Sequence, residues 1–121
     1  MLLACASKPV DSGPPLIISG LVFANQTSMN VSAVRLLVPA TGGFVSCGNV
    51  GAGAECASTF PEREYTGNEV EVTWSQAGQI YSTGLFTIQV PEDLDHSREA
   101  YIRVVIAGPG SAGAFVVQRQ K

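Results

Sequence analysis

The chain has 121 residues, of which 14 % are charged and 45 % hydrophobic, and its formal net charge is −3. An ordinary soluble domain is about 25 % charged, yet the apolar content here is too high and the net charge too low for intrinsic disorder. Its 13 Gly and 7 Pro fall short of a collagen-like or low-complexity bias, so one compact domain remains.

Strand chemistry runs through the body. Residues 16–23 are apolar and β-branched, broken by Ser19-Gly20, and residues 31–38 place Val34, Leu36 and Val38 at period two. Residues 43–46 form a short apolar run leading into Cys47. Over 69–74, Val70, Val72 and Trp74 alternate with Glu69, Glu71 and Thr73, the pattern of a strand with one buried face. Residues 80–90 read as one long strand with a bulge or bend at Gly84. Residues 99–107 put Ile102, Val104 and Ile106 on one face, and 112–118 supply the last strand. Gly, Pro, Asn and Ser clusters at 25–30, 39–43, 66–68, 75–78 and 108–111 separate these runs. Only residues 91–97 suggest a helix, a single turn opened by Pro91. The reading is an all-β, antiparallel, two-sheet sandwich of about seven strands over residues 16–121. It resembles immunoglobulin-like and transthyretin-like sandwiches in strand number. An immunoglobulin domain joins distant strands by a disulfide with Trp between the two cysteines; here Trp74 follows both.

The charges are sparse and placed without a basic cluster. Both lysines, Lys8 and Lys121, sit near chain ends, and the five arginines are interleaved with acids, which argues against nucleic acid as a partner. The outer strand faces are expected to carry uncharged polar residues. No stretch approaches the roughly 20 apolar residues of a membrane-spanning helix.

Near the start, Leu2-Leu3-Ala4-Cys5 resembles the lipobox of bacterial lipoproteins. The resemblance implies a lipid on Cys5, which becomes the first residue after cleavage, with several acyl chains giving stable anchorage. Residues 1–15 then read as a lipobox remnant and flexible tether. No charged and apolar leader precedes the motif within this sequence, so a truncated start, a start codon placed too late and a chance match stand as alternatives. The implied location is the bacterial cell envelope, facing periplasm or exterior, where disulfides persist. The other cysteines, Cys47 and Cys56, then pair, stapling a local excursion. Two free buried thiols are the alternative.

Catalytic and cofactor signals are thin. Gly108-Pro109-Gly110-Ser111-Ala112-Gly113 has dinucleotide-loop spacing, but no helix follows to hold a pyrophosphate, and a hairpin loop accounts for it better. His96, the single histidine, lies in the acidic stretch Glu92-Asp93-Leu94-Asp95, which lacks the EF-hand pattern. No metal site and no cofactor is expected. Glu69 and Glu71 share one strand face, and solvent exposure is expected of both. The sequons at Asn25 and Asn30 read as turn residues. The most distinctive segment spans 56–65, where Phe60, Arg63 and Tyr65 form a candidate partner patch. The alternative is that Phe60 and Tyr65 cover an end of the sandwich.

The functional expectation is a non-enzymatic binding or assembly module, anchored to a membrane through Cys5, with an envelope protein as partner and β-augmentation as one mode. Two alternatives stand beside it. One is a carbohydrate-binding domain with Trp74, Tyr65, Tyr81 or Tyr101 as platform; the other is a small hydrolase using His96.

Overall fold

The computed structural model describes residues 16–65, 67–95 and 98–118, leaving aside the side chains at 60, 62 and 63. Cys5, the 1–15 tether and His96 therefore lie outside the described residues. Eight strands appear: β1 (Ile17–Asn25), β2 (Val31–Val38), β3 (Gly43–Val50), β4 (Glu55–Glu64), β5 (Glu71–Gln76), β6 (Gln79–Ser82), β7 (Ala100–Gly108) and β8 (Ser111–Val117). They form two four-stranded sheets, ordered β4-β1-β7-β8 and β3-β2-β5-β6. The protein is thus an all-β, two-layer sandwich. Strand order departs from the immunoglobulin plan of four plus three strands, in which the first two strands share a sheet.

Alternation builds both sheets. Val72, Trp74 and Gln76 on β5 turn inward, as do Ile102, Val104 and Ile106 on β7. Phe23, Val34 and Val116 are wholly enclosed with them, each such side chain worth roughly 1.5–3 kcal/mol of burial. On β2 the period is interrupted. Ala33 takes φ 52, and the register slips beside it against both neighbours, a bulge that lets Val31 face inward together with Val34 and Leu36.

Four expectations change. The pairing of β1 with β7 is parallel, whereas the other pairs are antiparallel. Parallel neighbours need a long crossover, and the whole of β2 to β6 supplies it. The 80–90 run is not one strand. After β6, Phe86 pairs with Val70 and extends the β5 ladder; the chain then crosses layers, and Gln89 pairs with Phe115 at the β8 edge. Residues 91–95 form a turn at Glu92-Asp93 in place of a helix. The outer face of the β4-β1-β7-β8 sheet is partly apolar, with Val22, Val105 and Phe115 half-buried beside the Arg103–Glu55 ion pair at 2.6 Å. The 56–65 segment is itself a strand, β4. It packs closely on β1 at Gly20, where an added Cβ would stand 3.1 Å from the Ser58 carbonyl oxygen.

Candidate functional site

The disulfide defines the geometry from which the site follows. Cys47 lies on β3 and Cys56 on β4, with Cα atoms 6.4 Å apart. These are edge strands of different sheets. The pair therefore crosslinks the two layers, correcting the expectation of a staple within a local excursion. The chain between the cysteines passes from one sheet to the other, so closeness in sequence coincides with separation by layer.

Above the disulfide the layers are closed by Asn25. Its Nδ2 donates to the carbonyls of Met29 at 2.7 Å and Val50 at 3.0 Å, and its Oδ1 accepts from Thr27 N–H and Oγ1–H. Gln76 Nε2 on the opposite sheet donates to Thr27 Oγ1 at 2.9 Å. Asn25 is only 1 % exposed, which suits the expected turn role and leaves no room for a glycan. Asn30 likewise serves a turn, accepting from Ala52 N–H.

Below the disulfide β3 and β4 diverge, and an apolar cleft of about 350 Å³ opens between the sheets. Its floor comes from Ile18 and Leu21 on β1, Leu36 on β2, Ile102 on β7, and Ile88 from the segment between β6 and β7. Its rim is formed by Thr41, Phe44 and Val45 on one side and Glu64, Tyr65 and Asn68 on the other. Phe44 is 60 % exposed, with the Arg35 guanidinium 5.1 Å from its ring centroid. Tyr65 donates its hydroxyl to the Ile88 carbonyl at 3.3 Å, and burial raises its phenol above the ordinary value. The Tyr65 N–H also donates to the Leu16 carbonyl at 2.8 Å, so Leu16 lies beside this rim.

Of the expected partner patch, the structure places Tyr65 on the cleft rim, at the end of β4, and Phe60 and Arg63 earlier on that strand; the latter two side chains fall outside the described residues. Phe44 and Val45 were missed. The available signal was that β3 carries neither charge nor Pro from Gly43 to Val50.

The aromatic platform does not assemble. Trp74 is 1 % exposed, and Tyr81 packs on it at 6.1 Å with planes tilted by 33°. Tyr101 lies on β7, a strand of the other sheet, and pairs with Val117 of β8. Glu69 is exposed, and Glu71 accepts from the Ser82 hydroxyl. Gly108 and Ser111 pair across the β7–β8 turn, so the glycine-rich motif is a hairpin loop. Among the described residues no group of three or more His, Cys, Asp and Glu side chains converges. In the acidic loop, Gln118 Nε2 holds the Asp95 and Arg98 carbonyls.

The class of protein so defined is a disulfide-linked two-layer β-sandwich with an apolar cleft at one end. No family model matches the chain, and no curated protein matches it in sequence. A solved structure described as the NMR structure of the protein from Eubacterium rectale is similar over 85 % of this chain and 89 % of its own, at TM-score 0.48 and 14 % identity.

Proposed function

We propose that the protein is a non-catalytic binding or assembly module of the bacterial envelope, held to a membrane by a lipid on Cys5 and meeting a protein partner at the cleft end. The observation that carries this reading is the cleft itself. Half-buried Val38, Val45 and Tyr65 and exposed Phe44 line it above the buried Ile18, Leu36, Ile88 and Ile102, and ligand sites are concave and mostly apolar with a few polar groups at the rim. Such an aliphatic floor suits binding, and its polar groups stand at the rim. Burial raises the Tyr65 phenol at the rim and holds it in its protonated form.

Anchorage and binding suit one another in this arrangement. Leu16 lies at the cleft rim, and the eleven residue-to-residue steps from Cys5 to Leu16 span at most about 40 Å. A lipid at Cys5 would keep the cleft within that distance of the bilayer surface. The test uses the full chain behind a lipoprotein leader in a bacterial host. Mass spectrometry of Cys5 is expected to find a thioether lipid, absent from Cys5→Ser. Photo-crosslinking from position 44 is expected to yield an envelope-protein adduct that position 101, on the other sheet, does not. Unmodified Cys5 in envelope fractions overturns the anchor, and equal adducts from both positions overturn the binding end.

A further inference from the structure

We infer that the free edge of β3 over Gly43–Ser46, with the cleft beside it, is a docking site for an extended segment of a partner protein. That segment adds to the sheet as a fifth strand, and its aliphatic side chains enter the cleft at alternate positions. The inference rests on the binding-module reading above and gives it a site and a partner chemistry.

Two independent observations converge. The first is a comparison of sheet edges, which natural sandwiches protect with charge, Pro, shortness or cover. The β4 edge carries Pro61, Glu62, Arg63 and Glu64. The β6 edge is four residues long. The β8 edge is covered by Gln89, whose N–H donates to the Ala114 carbonyl while its carbonyl accepts from Val116. β3 is eight residues long, uncharged and without Pro. Its register against β2 slips on either side of the Val34–Gly48 pair, where Gly48 takes φ 72, and Gly43–Ser46 pairs with β2 without interruption. Every second residue there turns its N–H and C=O away from β2, ready for another strand.

The second observation is the cleft. It is lined by Gly43, Phe44 and Val45 themselves, so it lies directly inside the open edge. A strand laid along β3 points alternate side chains toward the interior, where the aliphatic floor lies, while the others point out beside Phe44. Main-chain bonds then supply affinity and the cleft supplies selection, as in other strand-addition sites. Four paired residues put two side chains inside. Aliphatic residues match the half-buried Val38 and Val45 that line the cleft above its buried Ile and Leu floor, and a basic residue at the flank faces the Glu64 carboxylate on the rim. A second copy of this chain presents the same β3 segment, with only Phe44 and Val45 apolar, and suits the cleft less well.

The probe is a blocked synthetic peptide of about eight residues, an ordinary strand length, alternating Val with Thr and flanked by Lys. The disulfide-intact protein is expected to bind it saturably. Amide shifts should centre on Gly43–Ser46 and Tyr65, and hydrogen exchange should slow at alternate β3 amides. N-methylation of alternate peptide residues, or replacement of its Val by Ser, is expected to weaken binding about tenfold or more. Val38→Asp, placing a charge in the cleft, should do the same; the peptide variants carry the test if that protein variant fails to fold. Equal affinity for the N-methylated peptide, or shifts centred on β7 and β8, overturns the site. Self-association that buries β3 and excludes the peptide also overturns it, in favour of a dimer. No peptide binding with selective envelope crosslinks from position 44 intact overturns this segment chemistry alone; loss of both overturns the binding-module reading beneath it.

Discussion

Cys47 and Cys56 lie nine positions apart in the chain, yet their disulfide ties β3 of one sheet to β4 of the other. It sits where the two edge strands begin to diverge, so it sets the closed end of the wedge whose open end is the cleft. On the chain-entropy model a ring of this size stabilises the fold by about 2.5–3 kcal/mol. Cys47→Ala with Cys56→Ala is expected to lower stability by that amount in urea denaturation, with a fall in Tm of roughly 10–20 °C. A loss under about 1 kcal/mol would show that the interlayer link adds little.

Asn25 closes the opposite end. Its amide satisfies the Met29 and Val50 carbonyls while its oxygen holds Thr27, which in turn receives Gln76. Asn25→Ala strands buried carbonyls and is expected to cost about 2–4 kcal/mol. Thr27→Val, which spares Asn25, should cost less. Equal losses in urea titrations of the two variants would place the keystone at Thr27.

The β5–β6 hairpin turns on Ala77 and Gly78, with φ 53 and 79. A two-residue loop with both φ positive is the type I′ requirement, and Asn or Gly suits its first position better than Ala. Ala77→Asn is expected to raise stability by about 0.5–1 kcal/mol, read as a higher urea midpoint at unchanged slope. A neutral or lower midpoint refutes it.

Burial raises the Tyr65 phenol, so the folded state favours its protonated form. The unfolded chain then binds fewer protons once pH passes about 10, and stability falls as pH rises from there through the folded value. Below the unfolded value the contribution is complete. Tyr65→Phe should flatten the loss of Tm as pH rises above about 10, as followed by circular dichroism. Parallel curves for the two proteins would dismiss Tyr65 as the group responsible.

Much of the fold was legible because alternation is local. Val70, Val72 and Trp74 against Glu69 and Glu71, or Ile102, Val104 and Ile106 along β7, choose a face with reference only to their neighbours. Turn chemistry at Pro109-Gly110 is equally local. The 80–90 run was harder. Its residues are strand-like throughout, but Gly84, at φ 72, ends β6 pairing and sends Gln89 across to β8. Strand β4 was legible only as a patch, since Pro61 and alternating charge are the marks of an edge strand as much as of a loop.

Composition and periodicity thus determined by themselves that this is an all-β sandwich and which faces of β5 and β7 turn inward. Only the tertiary structure decided that β1 and β7 run parallel, that the disulfide crosses between layers, and that, among the described residues, nothing pairs with the outer edge of β3. Those facts depend on which distant segments become neighbours, and that is settled when two sheets bury their faces together. A strand's own residues specify which side faces inward; its lateral neighbour, or the lack of one, is specified by the rest of the chain.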